Sequence, residues 1–228
     1  AVSAELTPAQ IASVSSLPFV KNVQVMSAYS RVMGEVADCP DSPFLDNPLR
    51  QLEMVGLDAF HEQGFDGEGV LVAVFDNGYL GTDEIAGMAH LYENNQIIAT
   101  KDYVDGDNTL YHTCDHCKHG TYVFSILAAD DPESGLRGSA PEAQFILLRT
   151  ENDASETKQE EDNWLAAAEF ADSMGAQIFT TSLGYYNFDP GEENYTSEDR
   201  DGGTSIITRA GDIAASRGIV VVNSAGYS

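Results

Sequence analysis

Residues 111–130, YHTCDHCKHGTYVFSILAAD, place three histidines and two cysteines inside eight positions and then pass abruptly into an apolar run. Imidazoles and thiolates are the usual ligands of zinc, two cysteines two residues apart form a redox motif, and a histidine at a helix start is a candidate general base. Each chemistry makes its own demand on spacing. Zinc needs about four donors converging tetrahedrally. His112, Cys114, His116, Cys117 and His119 offer five, but in one short segment that would have to fold as a compact knuckle, and no second ligand pair lies elsewhere. A thioredoxin-like pair should open a helix that follows a strand, and here the helix start is taken by His119. The three cysteines, Cys39, Cys114 and Cys117, leave a local disulfide, a Cys39-linked disulfide and free thiols all open.

His119 is followed by Gly120, which permits close backbone approach, and by Thr121, which can hydrogen-bond nearby backbone. The positive end of a helix dipole disfavours imidazolium, so the expectation is a histidine kept neutral and able to accept a proton near pH 7. Asp76 closes the apolar segment GVLVAVFDNG. Ligands and catalysis gather at the carboxyl ends of parallel strands, which favours a chemical role, yet an Asp before NGYLG equally suits an Asx-turn.

These side chains must be held by the elements around them. From residue 69 onward short apolar runs alternate with helical patterns, which predicts βαβ units and a mainly parallel sheet in a three-layer α/β/α fold. Strands are predicted at Val70–Phe75, at FILLRT (145–150), in QIFTTSLG (177–184) and in IVVVNSAG (219–226). Helices are predicted in HGTYVFSILAADD, in EEDNWLAAAEFADSMG and in TSIITRAGDIAASRG. In the second, Trp164, Ala168 and Ala171 share a face and Gly175 is the stop; in the third, Ile206, Ala210 and Ile213 point inward and Gly218 is the stop. Residues 185–203 read as a long loop. In the first third, LPFVKNVQVMSAYSRV (17–32) suits one strand and the Pro and Asp-rich segment after it a linker, with a boundary near residues 35–48.

Taken together, GEGVLVAVFDNG, HGTYVFSILAA, APEAQFILLRT, IFTTSLG and GIVVVNSAG follow in the order and rough spacing of the subtilisin-like serine peptidases, the subtilases, and this part of the chain resembles that family from about residue 50 to the end. The resemblance implies a subtilisin-like fold and peptide-bond hydrolysis by an Asp-His-Ser triad. Carried onto this sequence, Asp76 would orient the imidazole and His119 would be the base. Ser182, Leu183 and Gly184 would form a strand that pairs with substrate backbone, and Ser224, Ala225 and Gly226 a wall of the pocket for the side chain before the cleaved bond. LPFVKNVQVMSAYS is similar to the last strand of an inhibitory propeptide. The domains expected are therefore a propeptide remnant or N-terminal extension (1–34), a linker (35–48) and a partial catalytic domain (49–228).

Three positions depart from the family pattern. The family nucleophile lies in a GTS motif downstream of the SAG strand, and this sequence ends at Ser228. Ser205 does stand in a GTS, but the strand GIVVVNSAG follows it, so Thr204 or Ser205 is expected to be a helix N-cap. The oxyanion position after SAG holds Tyr227 where the family usually has Asn, a donor worth about 3–4 kcal/mol in the transition state. Asn77 stands where Thr or Ser often follows the acid. As written, the chain is expected to lack turnover by itself, and a non-catalytic module that binds a peptide strand is the rival reading.

Composition limits the remaining classes. With 43% hydrophobic residues over 228 positions the chain can bury a full core, and no run approaches the roughly 18–20 apolar residues of a membrane helix. A formal charge of −26 disfavours nucleic acid and anionic membranes as partners. It also disfavours a nucleotide-binding domain, whose phosphate loop should follow the first strand, whereas GFDGEG precedes it. The partners expected are a peptide or protein substrate and the chain's own propeptide. No cofactor is required; calcium is a candidate, because DYVDGDN (102–108) reads either as an oxygen-ligand loop or as a polar turn. The sequence begins at Ala1 rather than Met and reads as a processed or excised chain, with an exported, cell-surface or periplasmic location expected.

Overall fold

The structure, a computed structural model, describes residues 6–21, 23, 49–111 and 117–225. Its centre is a five-stranded parallel sheet built from β1 (Leu71–Asp76), β2 (Ile97–Asp102), β5 (Gln144–Arg149), β6 (Ile178–Thr181) and β7 (Val220–Asn223), in the spatial order β2-β5-β1-β6-β7. A short antiparallel pair, β3 (Asp130–Asp131) and β4 (Leu136–Arg137), lies outside it. The helices are α1 (Pro8–Ser15), α2 (Leu49–Val55), α3 (Leu57–His61), α4 (Ala89–Glu93), α5 (His119–Ala128), α6 (Lys158–Ser173) and α7 (Ile206–Ser216).

The central strands are apolar without interruption because both their faces are covered. Alternate residues of a strand point to opposite sides. Val72 and Val74 of β1, with Phe145 and Leu147 of β5, pack against Leu91 of α4 and Phe124 and Ala128 of α5. Ala73, Phe75, Ile146 and Leu148 face the other way, onto Trp164, Ala167 and Ala171 of α6 and Ala210 and Ala214 of α7. This is the expected three-layer α/β/α arrangement. Trp164 is buried within it: it stacks on Phe75 at 5.0 Å between ring centroids, and its indole N–H donates to Thr181 Oγ1 at 2.9 Å. Among the described residues no helix is long and apolar enough to cross a membrane.

Several sequence expectations are met locally. Gly175, just past α6, has φ +86°, and Gly218, just past α7, has φ +94°, the left-handed region in which helices commonly end. Ser205 caps α7, its side chain accepting from Thr208 N–H, as expected for the upstream GTS. One inward assignment on α7 fails: Ile213 is 57% exposed, and Ala214 takes the buried position beside Ile206 and Ala210. At ~100° per residue Ile206, Ala210 and Ala214 span about 80° of the helix, and Ile213 falls about 20° beyond Ile206, just off the edge of that face.

Strand β2 is an addition to the sequence reading. Its pattern is weak because it is an edge strand whose residues are mostly half-buried and end in Lys101 and Asp102. The N-terminal α1 is also unforeseen; Thr7 caps it and Gln10 completes a capping box, a signal present in the sequence. The predicted 17–32 strand does not begin as expected, since residues 17–21 are turn and irregular backbone. The rest of it, apart from Val23, and the boundary at 35–48 lie outside the described residues.

Candidate active site at the carboxyl edge of the sheet

Parallel register brings the ends of the strands into one row. Asp102 of β2 lies beside Arg149 of β5, which lies beside Asp76 of β1. Phe75 is level with Thr181 of β6, and Thr181 with Asn223 of β7, so Ser182 and Ser224 leave the sheet next to the end that carries Asp76.

Asp76 is fully buried. Its carboxylate accepts from His119 Nδ1 at 2.8 Å and 3.0 Å through its two oxygens, and Oδ1 also accepts from Asn77 N–H at 2.8 Å. With Nδ1 carrying the proton toward the carboxylate, Nε2 is the nitrogen left to accept one. The His119 side chain is 49% exposed, so a reacting group can reach it while its acid partner stays dry. Gly120 makes this approach feasible: a Cβ there would stand 2.9 Å from Asp76 Cβ and 3.1 Å from its Cγ, and would run into the Gly78 carbonyl oxygen. Thr121 anchors the same turn, donating from Oγ1 to Leu80 O at 3.0 Å.

The electrostatics correct one expectation. The helix start was expected to hold His119 below its ordinary titration range, but the hydrogen bond to Asp76 raises it above 6.5, aided by the charges of Asp76 and Asp153 and opposed by partial burial. A carboxylate at hydrogen-bond distance outweighs partial dipole charges. Burial pushes Asp76 above its ordinary carboxyl range, opposed by the His119 and Asn77 bonds.

The loop after β1 is stitched to both ends of the histidine and cysteine segment. Gly81 N–H donates to Tyr111 O and Leu80 N–H to Cys117 O, at 2.9 Å and 3.1 Å. Cys117 is buried and disulfide-bonded. His112, Cys114 and His116 lie outside the described residues, as does Cys39. Of the five donors offered to zinc, Cys117 is therefore committed to sulfur and His119 to Asp76. Among the described residues no group of three or more His, Cys, Asp or Glu side chains is arranged to hold a metal. In DYVDGDN, Asp102 and Asp105 both close on Arg149 Nη1, while Asp102 Oδ1 accepts from Val104 and Asp105 N–H and Asp107 Oδ1 from Thr109 N–H. These carboxylates behave as turn and ion-pair groups.

The segments expected to contact substrate are adjacent. Leu183 O accepts from Ser224 Oγ at 2.8 Å and from Asn223 Nδ2 at 3.3 Å, and Ser224 N–H donates to Thr181 O at 3.0 Å. Ser182 and Leu183 are half-buried and Gly184, Ser224 and Ala225 exposed; Gly226 and Tyr227 lie outside the described residues. The structure thus brings Asp76 and His119 into contact and sets the Ser182–Gly184 segment against Ser224.

Three neighbours escape the sequence reading, Glu151, Asp153 and Tyr185, and Asn77 enters it only as the residue that follows the acid. Asp153 accepts from Asn77 Nδ2 at 2.8 Å. Glu151 is buried one residue beyond Thr150, whose N–H bonds Asp76 O, and accepts from Tyr185 Oη, just past Gly184. Burial pushes the Glu151 carboxyl up to about 8. The available signal was an acidic run directly after a buried strand, in a position where carboxylates reach the end of the neighbouring strand.

Comparison with known proteins finds likenesses of sequence and of fold. The family model described as the subtilase family matches residues 67–228. The major intracellular serine protease of Bacillus subtilis (strain 168) is 26% identical over 170 residues, covering 74% of this chain and 45% of that protein. An extracellular serine protease of Aeromonas sobria is 32% identical over 136 residues, 59% of this chain and 20% of that one. Among solved structures, MycP1 from Mycobacterium smegmatis superposes on 90% of this chain and 50% of its own, with a TM-score of 0.57 and 22% identity, a likeness of fold. The chain spans about half the length or less of these relatives.

Proposed function

From the premise that the chain belongs to the subtilase family, we propose that the intact protein is a serine endopeptidase and that Asp76 and His119 are two members of its triad. The carrying observation is the buried carboxylate of Asp76 on Nδ1 of a half-exposed His119, held at the carboxyl edge of a parallel sheet. The family pattern puts the third member, a serine, downstream of the Ser224–Gly226 segment. His119 Nε2 takes the proton of that serine as its oxygen bonds to the peptide carbonyl carbon. The same proton passes to the leaving amine as the C–N bond breaks, and water then releases the acyl group by the reverse roles. Asp76 holds the imidazole orientation and balances its charge when protonated. Ser182–Gly184 pair with the peptide backbone and Ser224–Gly226 wall the adjoining side-chain pocket, with Tyr227 at the oxyanion position.

Substrates are peptides or proteins, and the N-terminal segment is an inhibitory propeptide remnant or extension. No cofactor takes part in the chemistry, and calcium, if bound, is structural. The Cys117 disulfide favours an oxidising, exported location, although the relatives include both an intracellular and an extracellular protease. The test is labelling of the intact protein with a serine-directed fluorophosphonate, with the adduct mapped by peptide mass spectrometry. One adduct on a serine beyond residue 228, dependent on His119, is the expected result. Labelling of Ser205, or none at all, rejects the peptidase reading, and the latter result favours the non-catalytic peptide-binding module.

A further inference from the structure

Helix α5 begins at His119, and Lys118, in the cap position, has helical backbone angles and makes no side-chain capping bond. The N–H groups of a first helical turn have no partner within the helix and must find one outside it. For Gly120 that partner is on the neighbouring strand end. Asn77 Oδ1 accepts from Gly120 N–H at 3.2 Å. The other end of the same amide, Nδ2, donates to Asp153 Oδ1 at 2.8 Å. The Asn77 main chain is fixed as well, its N–H donating to Asp76 Oδ1 at 2.8 Å and its carbonyl accepting from Arg149 Nε at 2.9 Å. One buried residue therefore ties the acid, the helix that carries the base and the loop after β5 into a single unit.

We infer that Asn77 is a positioning residue for His119, a helix cap delivered across from β1, and that Asp153 selects the orientation in which its amide can do this. An amide has separate donor and acceptor atoms, so only the orientation with Nδ2 toward a carboxylate turns Oδ1 to Gly120. Asp153 is a pure acceptor when ionised and enforces that choice; a neutral amide at 153 would accept or donate and leave both orientations open. The role rests on the proposed function of His119, but its geometry stands without turnover. Among the described residues, the titratable groups around the pair are Asp76 from β1 and Asp153 from the loop after β5. The charge of Asp76 also reaches Glu151 and Tyr79, and Arg149, paired with Asp102 and Asp105, lies beyond the Asn77 carbonyl.

The experiment compares the intact protein with its Asn77→Leu, Asn77→Ser and Asp153→Asn variants by NMR titration of the His119 ring, amide exchange at Gly120 and peptide hydrolysis. In Asp153→Asn the His119 midpoint should fall, because a nearby negative charge is removed. In Asn77→Leu the Gly120 amide should exchange about tenfold faster or more, the scale set by loss of one hydrogen bond, with Asn77→Ser recovering part of the protection. In both Asn77→Leu and Asp153→Asn, kcat should fall with KM nearly unchanged. An unmoved His119 midpoint in Asp153→Asn, or unchanged Gly120 exchange in Asn77→Leu, overturns the inference. Should Asn77→Leu fail to fold, the Asp153→Asn titration and the Gly120 exchange of Asn77→Ser decide it. The two NMR readouts need no activity, so an inactive wild-type protein would count against the peptidase reading and leave the positioning role to be judged separately.

Discussion

Replacing Gly120 with alanine tests the packing on which the Asp76–His119 contact depends. The added Cβ would lie 2.9 Å from Asp76 Cβ, beside the Gly78 carbonyl oxygen. An ordinary carbon–carbon contact needs ~3.5 Å, so the first turn of α5 has to retreat from Asp76 by about 0.6 Å, and farther to clear the carbonyl. His119 is the adjoining residue, and the same retreat stretches its 2.8 Å bond to the edge of hydrogen-bond range. Overpacking of this kind costs about 1–3 kcal/mol of stability. A charge-assisted bond is worth roughly 1.5–3 kcal/mol, and half-exposure of His119 places the loss at the lower end. Loss of that bond removes the main cause of the upward shift, so the His119 midpoint is expected to fall. Misplacement of a catalytic group by about 1 Å costs on the order of 100-fold in rate. The assays are ring titration by NMR, urea unfolding and kcat for a peptide substrate. An alanine variant with wild-type stability and an unmoved His119 midpoint would refute the close-approach reasoning.

Three further outcomes follow from individual contacts. Ser205→Ala should cost about 1 kcal/mol in urea unfolding through loss of the α7 cap and leave peptide hydrolysis unchanged; lost hydrolysis in a folded variant would mean that this serine does chemistry after all. Glu151 holds its proton up to about 8 in the folded chain against 4.5 as its ordinary value, so its contribution to stability is complete below about pH 4.5 and is lost as the pH rises through about 8. Glu151→Gln keeps an acceptor for Tyr185 and Thr150 without needing that proton, so the urea midpoint should decline less between pH 5 and 9; an identical decline excludes Glu151 as the source. Because His119 titrates above 6.5, the acidic limb of kcat/KM should have its midpoint above 6.5, and a midpoint below that value contradicts Asp76 as its dominant partner.

The sequence is most legible where a physical demand leaves few alternatives. A strand covered on both faces has to be apolar at every position, which exposes Val72–Phe75 and Phe145–Leu148 directly. A helix start pressed against a strand end needs a glycine, which marks the HGT motif at Gly120. Capping chemistry likewise separates Ser205 from a nucleophile, because a hydroxyl at a helix start before a buried strand has a simpler task. Legibility fails where a residue's role is decided by partners distant in the chain. Asn77 and Asp153 are 76 positions apart, and nothing local to either one announces their bond. The direction of the His119 shift fails for the same reason: the dipole can be inferred from the helix, but its competition with Asp76 at 2.8 Å depends on tertiary distance. Ile213 shows a third limit, since a helical stripe leaves the centre of the buried face undetermined by about 30°, enough to exchange Ile213 for Ala214 at its edge.

The central claim is that His119, oriented by Asp76, is the base of a serine peptidase. It is tested most directly by measuring hydrolysis of a peptide substrate by the intact protein and by its His119→Ala variant, with far-ultraviolet circular dichroism to establish that both are folded. Hydrolysis by the wild type, and loss of about 10³-fold or more in the folded variant, is the expected result. Equal hydrolysis by the two proteins contradicts the claim.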